Sequence, residues 1–211
     1  MTYYAFSKSL RNTLLENLSA FQAEVIRDNK LKQAAVAIVL TAHPQDKEAC
    51  ILLTLRPNKI NRHSGQYALP GGKMEEGESP LQASLRELRE ELGIGLQPYN
   101  FIGSLDDYPT RSGFQISPQV YWAQKKVDLK PNKGEVEKTF FIPLRELDSP
   151  DIPILRKGIK PNCPILSSFL PTLGHEFFAP TAAILYQFRE VALRGKHTRV
   201  AQYDQPTFAW S

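Results

Sequence analysis

Residues 72–94 read Gly72-Lys73-Met74-Glu75-Glu76-Gly77-Glu78-Ser79-Pro80-Leu81-Gln82-Ala83-Ser84-Leu85-Arg86-Glu87-Leu88-Arg89-Glu90-Glu91-Leu92-Gly93-Ile94. Ser79 is a strong N-cap, Pro80 suits the first helical position, and Gln82 completes a capping box. Gly93 follows the last periodic residue, where a C-terminal glycine belongs. The segment 79–92 is therefore predicted to be a helix. At about 100° per residue, Leu81, Leu85, Leu88 and Leu92 fall within a stripe roughly 40° wide, expected to be the buried face. Glu87, Glu90 and Glu91 lie together away from it.

Glu87 stands three residues before Glu90 and four before Glu91, so their carboxylates are neighbours. Like charges so placed cost a few tenths of a kcal/mol per pair. A divalent cation offsets that cost, because Mg²⁺ takes hard oxygen ligands. On its own, a Glu-x-x-Glu-Glu helix is usually a solvated face, here softened by Arg86 and Arg89. The surroundings favour chemistry instead. Gly71-Gly72 lets a ligand approach the backbone closely. Glu78 precedes Arg86 by eight residues, and an arginine can hold a carboxylate by a two-pronged hydrogen bond.

The spaced residues Gly72, Glu78, Arg86-Glu87-Leu88, Glu90-Glu91 and Gly93-Ile94 resemble the Nudix box, G-x5-E-x7-R-E-U-x-E-E-x-G-U with U aliphatic, at every defined position. The resemblance implies an α/β/α sandwich with a mixed β-sheet and hydrolysis of a diphosphate linkage with Mg²⁺ or Mn²⁺. It implies that Glu87, Glu90 and Glu91 bind the metal, that Arg86 orients a glutamate, and that Glu78 supports Arg86. Gly71 and Gly72 would form the loop beside the metal. The general base varies in this family. Here it is a box glutamate or an acid on a later loop, with Glu135 and Glu137 the later candidates. A solvated strand end is the competing reading of those two.

Working outward, 7–27 reads as an amphipathic helix, with Leu10, Leu14, Leu18, Phe21 and Val25 at helical spacing and Ser7 or Ser9 as cap. Residues 34–40 and 50–55 read as strands joined in a hairpin through the turn at His43-Pro44-Gln45-Asp46. Residues 56–66 read as a loop. Strands are expected near 99–105, 115–124 and 136–142, then a short helical turn at 144–147. Residues 148–164 are rich in proline and read as a long loop. Residues 181–193 read as a helix ended by Gly195, and 196–211 as a C-terminal tail. No internal repeat is visible. Strands, helix, strands and helix in that order favour a mixed sheet with helices on its faces, in a single domain over 1–211.

The stretch Leu52-Leu53-Thr54-Leu55-Arg56, then Gly65, then Leu69-Pro70-Gly71-Gly72 is similar to the segment preceding the box in coenzyme A pyrophosphatases. Pro57, Asn61 and Leu69 depart from that pattern, and Arg62 stands one place late. The 103–118 stretch, with Asp106-Asp107-Tyr108 and Thr110-Arg111-Ser112-Gly113-Phe114, is also similar, as is Thr181-Ala182-Ala183-Ile184-Leu185. Coenzyme A or acyl-coenzyme A is the substrate this points to. An ADP-ribose or dinucleotide pyrophosphatase, and a noncatalytic nucleotide-binding module, are the alternatives. Arg56, Lys59, Arg62 and Arg111 are the candidate phosphate contacts. Tyr67, Tyr108 and Phe114 are candidates to stack on a base, though aromatics beside strands are more often core. His63 and His175 have no spaced partner for a metal.

The bulk properties agree. The 211 residues suffice for one sizeable core. Hydrophobic content of 42% and charged content of 23% are ordinary for a globular chain. A net charge of +4 suits an anionic substrate, but no concentrated basic run marks a nucleic-acid binder. Cys50 and Cys163 make no disulfide framework. The start shows no secretory signal, and the longest apolar stretch, 34–40, is too short to span a bilayer. The expected partner is a small nucleotide-like substrate, with neither nucleic acid nor membrane, in the cytoplasm. A homodimer is left open.

Overall fold

The computed structural model describes residues 2–28, 30–57, 66–124, 126–158 and 163–206. Its central strand is β1, Lys32–Ala42. Ala37 and Val39 face one side of the sheet, while Ile38 and Leu40 face the other. Both faces are covered, so this strand needs a nearly continuous apolar run instead of simple alternation. Along one edge β1 pairs antiparallel with β2 (Ala49–Leu55), Leu40 opposite Ile51, and farther back with β4 (Gly71–Lys73), Val36 opposite Gly71. Along the other edge it pairs parallel with β7 (Phe114–Trp122), from Lys32 to Leu40. β2 also carries β3 (Tyr67–Ala68) and β8 (Lys138–Pro143), and β7 carries β5 (Phe101–Ser104) and β6 (Tyr108–Pro109). One parallel pair among antiparallel ones makes the sheet mixed.

Helix α2, Pro80–Leu92, covers one face, with Leu88 and Leu92 packed against Ala37, Val39, Leu52 and Tyr121. Both halves of its capping box form, and Gly93 closes it at φ +68°. On the opposite face, α1 (Lys8–Ala20) and α4 (Thr181–Phe188) bring Leu14, Leu18, Ile184 and Phe188 onto Ile38, Leu40 and Val120. The result is the expected α/β/α sandwich. Leu144–Leu147 forms the short helix α3 as expected. The 181–193 segment is helical too, α4 running on into a π turn over Arg189–Leu193.

Four expectations need correction. The first helix ends at Ala20 and not at residue 27. Beyond it, the carboxylates of Asp106 and Asp107 accept from the Glu24 and Ile26 N–H groups, at 2.7 and 2.9 Å, which draws this backbone out of the helix. The buried side of α2 is rotated from the leucine stripe. Ala83, Ser84 and Glu91 join Leu88 and Leu92 inside, while Leu81 and Leu85 are half-buried. Small Ala83 and Ser84 let the sheet approach, and the Ser84 and Tyr121 hydroxyls hydrogen-bond at 2.6 Å. The third correction is in the expected loop 148–164, which contains β9 (Ile154–Arg156). This strand pairs with β10 (Ile165–Leu170), which in turn pairs with β11 (His175–Phe178), forming a small antiparallel sheet. Finally, the described part of the tail, 196–206, is docked: Val200, Asp204 and Gln205 are buried. Among the described residues no helix is long and apolar enough to cross a membrane.

Candidate active site

The local geometry begins with β4. Gly71 takes φ +152°, and a Cβ there would lie 2.3 Å from the Ala35 carbonyl oxygen. Gly72 meets a different constraint. Its Cβ would lie 2.4 Å from Oε1 of Glu87, so the carboxylate occupies the space that a side chain would need. The two glycines thus let β4 press against both β1 and the acidic face of α2.

Arg86 is the hub of that face. Its Nε and Nη2 donate to the two oxygens of Glu78 at 2.9 and 3.0 Å. Nη1 donates to Glu87 Oε1 and to Glu90 Oε2, both at 2.9 Å, and Nη2 also reaches the Lys73 carbonyl at 3.1 Å. The guanidinium holds the Glu78 carboxyl below its ordinary pKa, and these acids raise the pKa of Arg86. The loop after β4 is thereby fastened to the helix by its own sequence.

Glu91 is 7% exposed, unusual for a carboxylate. Its Oε2 accepts from the Gly71 N–H at 3.1 Å. Burial pushes its pKa up to about 7, opposed by Arg56 and the Gly71 N–H, with Glu87 and Glu135 adding to the rise. Burial also raises Glu87, against the pull of Arg86, and Glu90 and Glu135 contribute. Glu135 is exposed yet acts on both acids. Glu137 is exposed as well, and its N–H donates to the Leu55 carbonyl at 2.9 Å.

The three box glutamates are neighbours, but among the described residues no three acidic, histidine or cysteine side chains converge on one point. Glu90 is turned onto Arg86 and Glu91 onto Gly71, each to satisfy its own hydrogen bond. Their chemistry nonetheless fits a divalent cation. They are hard oxygen donors, and burial raises both Glu87 and Glu91, with Glu90 and Glu135 adding to the first and Glu87 and Glu135 to the second, a repulsion that such a cation relieves.

Beside this cluster lies a cavity of about 280 Å³, and Gly71 and Gly72 form the partition between the two. Arg56 lines it and reaches the Gly71 carbonyl at a long 3.5 Å. Tyr67 and Phe114 also line it. Tyr108 does not: it is 1% exposed, and its hydroxyl donates to the Tyr203 carbonyl, so it belongs to the core. Arg111, expected as a phosphate contact, does not line this cavity. Its fork grips Asp204, Nε to Oδ1 at 2.8 Å and Nη2 to Oδ2 at 3.0 Å. Lys59, Arg62 and His63 lie outside the described residues. His175 stacks on Tyr67, ring centroids 6.3 Å apart. Sequence reading missed Gln205, which lines the cavity from the opposite end of the chain. Nothing in its neighbourhood signals this, because the contact is purely long-range.

A family model described as the NUDIX domain matches residues 31–163, more than half of the chain. An uncharacterized Nudix hydrolase, NudL, of Yersinia enterocolitica is 34% identical over 139 residues, 64% of this chain and 70% of that protein. Nudix hydrolase 3 of Caenorhabditis elegans is 30% identical over 150 residues, 67% of this chain but only 62% of that protein. Among solved structures, a MutT/nudix family protein from Enterococcus faecalis has a TM-score of 0.51 at 17% identity, covering 88% of this chain and 74% of that one. That likeness concerns the fold.

Proposed function

The chain belongs to the Nudix family, and on that premise we propose that it hydrolyses a diphosphate linkage in a nucleoside diphosphate derivative, with Mg²⁺ or Mn²⁺ held by Glu87, Glu90 and Glu91. The observation that carries this reading is the double use of Gly71 and Gly72. They line the cavity while Gly71 bonds Glu91 and Gly72 lies against Glu87. On this reading a diphosphate passes along this backbone from the cavity toward the carboxylates on its other side.

The cation supplies charge neutralisation on the diphosphate and a lowered pKa for the attacking water. The protein supplies the rest. Arg86, fixed by Glu78, holds Glu87 and Glu90 in place from one side. Arg56, which lines the cavity and acts on Glu91, is a candidate cation for a phosphate oxygen. Glu135, exposed and close enough to act on both Glu87 and Glu91, is the candidate to accept the proton of the water.

Within that class, we infer that coenzyme A or its acyl derivatives are among the preferred substrates. The support is spatial. The three stretches similar to coenzyme A pyrophosphatases contribute Arg56 and Gly72, then Thr110, Ser112, Phe114 and Ile116, then Thr181 and Ile184, all lining this one cavity. The test is a hydrolysis panel of coenzyme A, dephospho-coenzyme A, ADP-ribose and NADH with Mg²⁺ and Mn²⁺, with the products identified. Cleavage of the diphosphate, fastest for coenzyme A, is the expected result. A higher kcat/KM for ADP-ribose or NADH overturns the finer assignment, and no cleavage of any of them overturns the hydrolase reading.

A further inference from the structure

Resting on that reading, we propose that Arg111 and Asp204 form a positioning pair: their contact fixes the C-terminal wall of the cavity and so sets the affinity for the non-reacting part of the substrate. The cavity has three walls. One is the sheet, with Val36 and Gly72. The second is the turn that leads into β7, with Thr110, Ser112 and Phe114. The third lies outside the segment matched by the family model and consists of the start of α4 and Gln205. Neither Arg111 nor Asp204 lines the cavity, but Arg111 stands between Thr110 and Ser112 of the second wall and Asp204 adjoins Gln205 of the third, so this ion pair ties two walls together from behind.

The tie is directional. Both oxygens of Asp204 are gripped by the Arg111 fork. Oδ1 also accepts from the Gln205 N–H at 2.9 Å, and the Arg111 N–H donates to Gln205 Oε1 at 3.3 Å. Gln205 is thus held at both its backbone and its side chain by the two members of the pair. Nearby, the Tyr108 hydroxyl donates to the Tyr203 carbonyl at 2.8 Å and the Asp204 N–H to the Pro164 carbonyl at 2.9 Å, which anchors the segment as a unit. The Asp204 side chain is 2% exposed. A carboxylate so buried needs its partner, and a planar bidentate grip defines the angle of the wall as well as its distance. None of these contacts involves Glu87, Glu90 or Glu91. Loosening them should therefore weaken substrate binding without altering the chemical step.

The experiment compares Asp204→Asn, Arg111→Lys, Arg111→Ala and Gln205→Ala with the unmodified protein. Steady-state rates are measured with ADP-ribose and coenzyme A, and calorimetric Kd values with those compounds and with inorganic pyrophosphate, which is too small to fill the cavity. Asp204→Asn, Arg111→Ala and Gln205→Ala should raise KM and Kd for the nucleotides about tenfold, the order expected for losing a charge-assisted contact. Their kcat should stay within about twofold, and pyrophosphate affinity should not change. Arg111→Lys should recover part of the Arg111→Ala loss. A fall in kcat at constant KM, or equal weakening of pyrophosphate and nucleotide binding, overturns the proposal. If Arg111→Ala does not fold, Asp204→Asn and Arg111→Lys decide it. A protein that binds the nucleotides without cleaving them refutes the hydrolase reading alone, because the Kd comparison still tests the pair. One that binds neither refutes both.

Discussion

Replacing Gly72 with alanine should separate catalysis from folding. The added Cβ would lie 2.4 Å from Glu87 Oε1, 2.6 Å from its Cδ and 2.9 Å from Oε2, where ordinary contact begins near 3.4 Å. The carboxylate must therefore retreat by about 1 Å. It is the far end of a side chain with rotatable bonds, and Gly72 lies in an extended strand that alanine accepts. Removing glycine gains about 0.4–1 kcal/mol by stiffening the unfolded chain, which offsets the displaced contact, so net stability should change by less than about 1 kcal/mol. Activity should not be spared. Misplacing a reacting group by 1 Å can cost on the order of a hundredfold in rate, or about 2.7 kcal/mol of barrier. Gly71→Ala is the control. Its Cβ meets the backbone of Ala35 and Val36 at 2.3 and 2.7 Å, neither of which can move without parting β1 from β4. That variant should lose about 2 kcal/mol or more of stability. The assay pairs thermal or urea melts with initial rates on whichever diphosphate substrate the panel identifies. A Gly72→Ala protein with full kcat, or one destabilised as much as Gly71→Ala, would refute the placement of Glu87 against Gly72 at the reacting centre.

Further outcomes follow from the same geometry. Glu91→Gln keeps an oxygen that can accept from Gly71 but loses the charge, so it should fold normally with turnover reduced at least about a hundredfold; full turnover in a folded variant counts against the assignment. Leu88→Ala, at a fully buried position, should cost about 2–5 kcal/mol, read from the shift in urea midpoint at constant m. Mn²⁺ at about a hundred times its Kd should add about 2.7 kcal/mol, roughly 5–10 °C in Tm for a chain of this size, and the gain should vanish in Glu91→Gln. Glu190 is buried, which alone would raise its pKa, but Lys196, Arg189 and Arg194 outweigh this and hold it below its ordinary value. Its stabilising contribution is then present above the unfolded-state pKa and is lost as pH falls through the lower folded-state pKa. Glu190→Gln should melt earlier at neutral pH, and the gap should close on acidification; a gap independent of pH would contradict this reading.

What could be read in the sequence, and what could not, divides along the range of the interactions. The α2 helix was legible because its cap, its capping box and its terminal glycine all lie within a few residues, and the structure forms each of them. The grip of Arg86 on Glu78 spans eight residues and could be anticipated from their spacing. The face that α2 buries could not. Leucine spacing favoured one stripe, but Ser84 finds a partner in Tyr121 and Glu91 one in Gly71, both supplied by strands, and these contacts turn the helix. The small sheet was hidden because prolines interrupt the 148–164 segment, while β9 is only three residues long and pairs with β10. Arg111 shows the limit most clearly. A surface arginine near this motif reads as a phosphate contact, and nothing local reveals that its fork also grips Asp204, ninety-three residues away. The acidic cluster, to which the proposed chemistry is assigned, is local. The cavity that must tell one diphosphate from another is assembled from chain segments as distant as Val36 and Gln205. If this cavity sets substrate preference, as proposed, that preference is a property of tertiary contacts, and substitutions remote from residues 72–94 should change it while leaving the reaction itself in place.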